Sequence, residues 1–147
     1  MYAYPYPWIY DRLPAAESTL LSEIAQAING EYSSIACYGR LLQLAPGEEA
    51  KTRIEEIRQD EIRHYQTFSR LFFRLSGRKP TPQLSEECPS DYLEGIRFAF
   101  RDEQKTADSY HSIADGTGDL EVREAFRRAA FDEQNHAVWF LYFLTVR

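Results

Sequence analysis

Residues 60–64 read Asp-Glu-Ile-Arg-His and residues 132–136 read Asp-Glu-Gln-Asn-His, so one Asp-Glu-x-x-His pattern occurs twice, 72 positions apart. A glutamate and a histidine three positions apart lie on the same face of an α-helix, where both can bind one metal ion. A single Glu-x-x-His sequence arises easily by chance. Its repetition predicts two equivalent helices, each carrying half of a metal site.

A lone glutamate precedes each pair by 30 positions: Glu31 before Glu61, and Glu103 before Glu133. The midpoints of these two intervals fall at Pro46 and Gly118, within short runs of helix-breaking residues. Residues equidistant from the turn of an antiparallel hairpin lie at the same height. Each lone glutamate is therefore predicted to face the Glu-x-x-His pair of its own hairpin.

Apolar residues recur at helical spacing on both sides of these motifs, which predicts an all-α fold of four helices. The predicted helices cover about 18–44, 48–76, 91–115 and 120–144, and they form two pseudo-symmetric hairpins. The proline-containing segment 78–90 is long enough to cross the length of the bundle, although a shorter path is also open. Residues 1–17, rich in Tyr and Pro, are predicted to be an irregular arm on a bundle of residues 18–147.

The six candidate ligands all fall on the apolar faces of the predicted helices: Glu31, Glu61, His64, Glu103, Glu133 and His136. Burying an unpaired carboxylate costs several kcal/mol, so four of them in one core require compensating cations. Two metal ions would supply that charge, and this set of residues is typical of a two-metal site in a helical bundle. The alternative is a set of buried salt bridges among Glu, His and Arg.

Four further residues could support the site without binding metal themselves, through hydrogen bonds to it: Asp60, Asp132, Tyr38 and Tyr110. The aspartates are either solvent-facing acids or acceptors for the imidazoles of the opposite hairpin, Asp60 for His136 and Asp132 for His64. The tyrosines lie two turns beyond the lone glutamates. They either pack in the core or give hydrogen bonds, or an electron, to the metal site.

Composition and charge exclude several classes of function. The chain has 147 residues, of which 44% are hydrophobic, and a formal net charge of −6 without a basic cluster, which argues for one globular domain and against nucleic-acid binding. No apolar run approaches the ~18 residues of a membrane span, and the amino terminus is not a secretory signal.

Cys37 and Cys88 form no Cys-x-x-Cys motif, so we expect free thiols in a reducing cytoplasm.

At the six ligand positions the chain resembles the ferritin-like superfamily, and within it the rubrerythrin-like di-iron proteins. The resemblance covers about residues 18–145. It implies a ferritin-like four-helix bundle with a crossover, in which Glu61 and Glu133 bridge two metal ions and Glu31 and Glu103 are terminal ligands. It also implies ferroxidase, oxidase or peroxide-reducing activity at a centre of iron, with manganese as an alternative.

The chain departs from rubrerythrins in two respects. It has no additional glutamate one turn from Glu103, and it has no rubredoxin-like domain with paired Cys-x-x-Cys motifs. We therefore expect O2 or peroxide as substrate, a separate electron donor, and a small oligomer such as a homodimer. The competing hypothesis is a non-catalytic bundle that metal ions hold together and that the amino-terminal arm docks onto a larger assembly.

Overall fold

The computed structural model describes the backbone of residues 8–146 and the side chains of residues 19–146. It contains four helices: α1 (Trp8–Leu44), α2 (Glu48–Ser76), α3 (Tyr92–Gly116) and α4 (Leu120–Thr145). The predicted all-α four-helix fold is confirmed. None of these helices combines the length and the hydrophobicity of a membrane span.

The start of α1 differs from the prediction. The helix begins at Trp8 and continues through Pro14, whereas the sequence predicted a start near Ser18. A proline removes one helical hydrogen bond but does not exclude a helix, and Pro14 therefore lies inside α1 without ending it. Residues 8–17 are therefore helical and not an irregular arm. The rest of the predicted arm, residues 1–7, lies outside the described residues.

The helices form two hairpins, α1 with α2 and α3 with α4, and the hairpins meet through the pairs α1–α3 and α2–α4. The segment between α2 and α3 follows α1 from one end of the bundle to the other. It contacts successive turns of α1 through Gln83 N–H to Asn29 Oδ1 (2.9 Å), Ser85 N–H to Ser33 Oγ (2.9 Å), and Cys88 bonded to Cys37. The long crossover is therefore present.

Cys37 and Cys88 form a disulfide between α1 and the crossover, with Cα atoms 5.2 Å apart and 51 positions between them in sequence. The prediction that both cysteines are free thiols was wrong. Their pairing depends on the path of the crossover, and the sequence alone left two paths open.

Helix ends are set by local capping. The side chain of Asp91 accepts a hydrogen bond from the Glu94 N–H at the start of α3, and that of Asp119 accepts one from Val122 at the start of α4. Gly77 ends α2 in the left-handed conformation, with φ of 70°. Gly77 and Asp91 thus mark the two ends of the crossover, and Asp119 lies in the turn of the α3–α4 hairpin.

Two apolar clusters fill the core, one toward each end of the bundle. The Phe126 cluster contains Ile24, Ala27, Ile28, Phe68, Leu71, Phe72, Tyr110, Ile113, Ala114, Val122, Phe126, Ala129 and Ala130. The Phe140 cluster contains Cys37, Tyr38, Leu41, Ala45, Ala50, Ile54, Ile57, Ile96, Ala99, Phe140 and Phe143. The buried glutamates and histidines belong to neither cluster and lie in a layer between them.

We predict opposite effects on stability for two glycine substitutions. A Cβ at Gly95 would lie 2.3 Å from Leu41 Cδ2, and Leu41 is fully buried, whereas a Cβ at Gly30 would meet nothing within 4 Å. Gly30→Ala should stabilise the metal-free protein by ~0.5–1 kcal/mol through helix propensity. Gly95→Ala should destabilise it by about 1–3 kcal/mol through overpacking. Urea unfolding measures both, and shifts of the same sign would contradict the close packing of α1 on α3.

Candidate metal centre

Each of the four helices contributes to the polar layer. α1 and α3 each supply one glutamate, and α2 and α4 each supply a glutamate and a histidine: Glu31, Glu103, Glu61, His64, Glu133 and His136. All six side chains are buried, and the most exposed, His64, is 7% accessible. The structure thus brings together every residue that the sequence marked as a ligand.

The six residues form two overlapping groups, each able to hold a metal ion. One group is Glu31, Glu61, His64 and Glu133, and the other is Glu61, Glu103, Glu133 and His136. Within each group, one donor atom from every residue lies within 4.8 Å of the others. Glu61 and Glu133 belong to both groups, as carboxylates that bridge two ions must.

Both imidazoles direct Nδ1 into the layer. His64 Nδ1 is 2.9 Å from Glu133 Oε1, and His136 Nδ1 is 3.1 Å from Glu61 Oε1. Each histidine thus approaches the shared glutamate of the other Glu-x-x-His pair. This arrangement places the two imidazoles on either side of the shared carboxylates, with ring centroids 6.3 Å apart.

Every one of the six residues has a buried atom that makes no well-aligned hydrogen bond, although the two Nδ1 atoms lie close to carboxylate oxygens. These atoms are Glu31 Oε2, Glu61 Oε1, His64 Nδ1, Glu103 Oε2, Glu133 Oε1 and His136 Nδ1. Only one other buried side-chain atom in the described part of the chain, Ser69 Oγ, lacks a partner. An unsatisfied buried polar atom costs about 1–3 kcal/mol, more when charged, so six converging ones demand a partner. Cations between them would satisfy all six, and the residues therefore fit a metal centre better than a set of salt bridges.

The second nitrogen of each imidazole bonds to an aspartate of the opposite hairpin. His64 Nε2–H donates to Asp132 Oδ2 at 2.9 Å, and His136 Nε2–H donates to Asp60 Oδ2 at 2.8 Å. The predicted cross-hairpin contacts of the aspartates are confirmed. Such a bond fixes the tautomer that leaves Nδ1 free to bind a metal ion.

Two arginines that the sequence analysis did not single out hold these aspartates. Arg128 Nε donates to Asp132 Oδ1 at 3.1 Å, and Arg63 forms an ion pair with Asp60 Oδ1. Each arginine lies one turn from its aspartate on the same helix, a spacing that could have indicated the contact. Arg63 and Arg128 are not related by the 72-position repeat, so the contacts between arginine and aspartate do not follow the pseudo-symmetry of the ligands.

Each tyrosine bonds to one of the two lone glutamates across the α1–α3 interface. Tyr110 Oη–H donates to Glu31 Oε1 at 2.5 Å, and Tyr38 Oη–H donates to Glu103 Oε1. Burial raises the pKa of the Tyr38 phenol, and the nearby negative charge of Glu103 raises it further. The phenols thus remain protonated donors that orient the carboxylates, and they also pack in the two apolar clusters.

The metal-free layer balances its charge with protons. Burial raises the pKa of Glu61 and Glu133 well above the usual value, and the neighbouring carboxylates raise it further. Burial lowers the pKa of His64, but its bonds to Asp132 and Glu133 outweigh burial and leave that pKa far above the usual value. Several ligands are therefore protonated at neutral pH until a cation replaces the protons.

We predict that metal binding releases protons and strengthens as the pH rises. The raised pKa values of Glu61, Glu133 and His64 mean that these metal-free ligands hold protons more tightly than usual, whereas a metal ion needs them unprotonated. Each proton released should change the affinity about tenfold per pH unit. Titration calorimetry with Mn(II) in buffers of different ionisation enthalpy measures the number released, and an affinity independent of pH would contradict the protonated layer.

We also predict that Asp60→Asn and Asp132→Asn each weaken metal binding by ~10–100-fold, because a neutral amide supports the imidazole less well than a carboxylate. Asp115→Asn, at an exposed position near the end of α3, is the matched control and should bind normally. Mn(II) titration gives the affinities, and circular dichroism checks that the helices persist. Equal affinity in all three variants would show that the aspartates do not support the site.

The fold resembles two solved structures at low sequence identity, a likeness that concerns the fold alone. A hypothetical protein from Pyrococcus furiosus superposes with a TM-score of 0.76 at 19% identity, over 86% of this chain and 88% of that one. The conserved hypothetical protein rv2844 from Mycobacterium tuberculosis superposes with a TM-score of 0.75 at 16% identity, over 91% of this chain and 94% of that one.

No known family profile matches the chain. It is 47% identical over 144 residues to the uncharacterized protein YhjR of Bacillus subtilis strain 168, which covers 98% of this chain and 97% of that protein. The match therefore spans all four helices and the crossover. At this identity and coverage, the chain belongs to the same protein family as YhjR.

Proposed function

We propose that the protein is a rubrerythrin-like member of the ferritin-like superfamily that binds two iron ions and oxidises Fe(II) or reduces O2 or peroxide. One observation carries the proposal: two adjacent ligand groups share Glu61 and Glu133. A single structural metal ion would need only one such group. Two groups with shared carboxylates hold two ions close together, the arrangement that multi-electron chemistry uses.

The donor set favours iron, with manganese as the alternative. Carboxylate oxygens with one imidazole nitrogen for each ion suit iron and manganese, whereas copper or zinc sites draw more on histidine and cysteine. Each group offers four protein residues, fewer than the six positions of an octahedral ion, which leaves room for a small molecule. A bound pair of Fe(II) ions would supply the two electrons that reduce peroxide to water.

The chain's own residues prepare this site in three ways. The Phe126 and Phe140 clusters close the layer from both ends and exclude bulk water. The aspartates Asp60 and Asp132 hold the imidazoles with Nδ1 turned inward. The phenols of Tyr38 and Tyr110 hold the carboxylates of Glu103 and Glu31 in place. These two ligands would therefore move little when the charge of a bound metal ion changes.

We predict that Glu133→Ala abolishes binding of the metal pair, because the substitution removes a ligand common to both groups. Glu124→Ala, at an exposed position on the same helix, should retain both ions. The helices of Glu133→Ala should persist, since loss of an acid from an acidic core relieves repulsion. Elemental analysis after Fe(II) loading under anaerobic conditions measures the metal content, and two ions per chain in Glu133→Ala would contradict the shared role.

Reaction with peroxide tests the activity itself. Addition of peroxide to the Fe(II)-loaded wild-type protein should consume peroxide and produce the near-ultraviolet absorption of ferric ions. A protein that binds two ions but reacts with neither O2 nor peroxide would instead be a bundle that metal ions only stabilise. In that case its melting temperature would still rise with metal, since metal binds the folded state.

A further inference from the structure

A groove of about 450 Å³ lies between α1 and α3, beside the crossover. Tyr38 and Tyr110 are among its lining residues, and these are the tyrosines bonded to Glu103 and Glu31. Both cysteines of the disulfide line the same groove. The disulfide and the two tyrosines that bond to candidate ligands therefore border one shared space.

The two cysteines differ in access to solvent. Cys37 is 4% exposed within the Phe140 cluster, whereas Cys88 on the crossover is only partly buried. Cys88 is therefore the sulfur that an external thiol can attack, and Cys37 is the one oriented toward the protein interior. A disulfide with one accessible sulfur can be reduced by thiol–disulfide exchange.

A short path joins the disulfide to the candidate ligands. Cys37 directly precedes Tyr38 in the chain, and the Tyr38 hydroxyl bonds to Glu103. One peptide unit, one aromatic ring and one hydrogen bond thus separate a cysteine from a metal-binding carboxylate. The pseudo-symmetric residue Tyr110 makes the same contact with Glu31 but has no cysteine beside it.

We propose that Cys37 and Cys88 are a redox pair that delivers two electrons to the metal centre for each peroxide reduced, a role that rests on the proposed function. The two thiols lose two electrons and two protons and form one S–S bond. Peroxide gains the same two electrons and two protons, its O–O bond breaks, and two waters form. A thiol reductant then attacks Cys88 and restores the dithiol. The pair takes the place of a rubredoxin-like domain as the immediate electron donor.

A titration of the unmodified chain tests this role. The protein is reduced, freed of reductant, loaded with two Fe(II) ions under anaerobic conditions and titrated with hydrogen peroxide. The same protein with its disulfide intact is the control. The dithiol form should consume two equivalents of peroxide before ferric absorption persists, because it holds four electrons, and the disulfide form should consume one.

The state of the thiols is a second, independent readout. Alkylation and mass spectrometry should show the disulfide re-formed after the first equivalent in iron-loaded protein, at least tenfold faster than in metal-free protein. Cys88→Ser should behave like the disulfide form and consume one equivalent. Tyr38→Phe should slow disulfide formation by tenfold or more, whereas Tyr110→Phe should slow it less.

The outcomes separate this role from the proposed function. If ferric absorption persists after one equivalent while the thiols remain free, the disulfide only fastens the crossover and the metal activity stands. If the thiols oxidise equally fast with and without iron, peroxide attacks them directly and the redox coupling is wrong. If iron-loaded protein does not react with peroxide at all, both the role of the cysteines and the proposed function are wrong.

Discussion

The structure depends on one constraint: four carboxylates and two imidazoles lie at one level of an otherwise apolar core. Such a layer opposes folding unless protons or cations balance its charge. The bundle meets this constraint by enclosing the layer between two apolar clusters, which stabilise the fold, and by directing six unsatisfied atoms toward common centres. Binding of cations at these atoms would therefore be coupled to folding, since the atoms come together only where all four helices meet.

Contacts outside the layer decide which atoms face inward. Each imidazole could present either nitrogen to a metal ion, and the aspartate of the opposite hairpin selects Nδ1 by accepting from Nε2–H. The carboxylates of Glu31 and Glu103 are likewise each held by a phenol from the helix across the α1–α3 interface. These bonds all run between the two hairpins, so the geometry of the site exists only when the hairpins are docked.

The crossover contributes more than a connection. It follows α1 and brings Cys88 to Cys37, beside the groove that leads to Tyr38. The groove borders the helix pair that carries Glu31 and Glu103. The two halves of the bundle, alike in their ligands, differ here, since only the α1 side carries a cysteine next to its tyrosine.

The sequence by itself determined the four helices, the six buried Glu and His residues and the cross-hairpin role of Asp60 and Asp132. Periodicity and a 72-position repeat specify which residues share a face and a height, and these are local or symmetric properties. Only the tertiary structure decided the path of the crossover and the Cys37–Cys88 bond, whereas the arginines that hold the aspartates lie one turn away on the same helix and were within reach of the sequence. The start of α1 at Trp8 was also missed, because a proline is unfavourable inside a helix but does not exclude one. The crossover path and the disulfide depend on contacts between distant segments, which no pattern within one helix encodes.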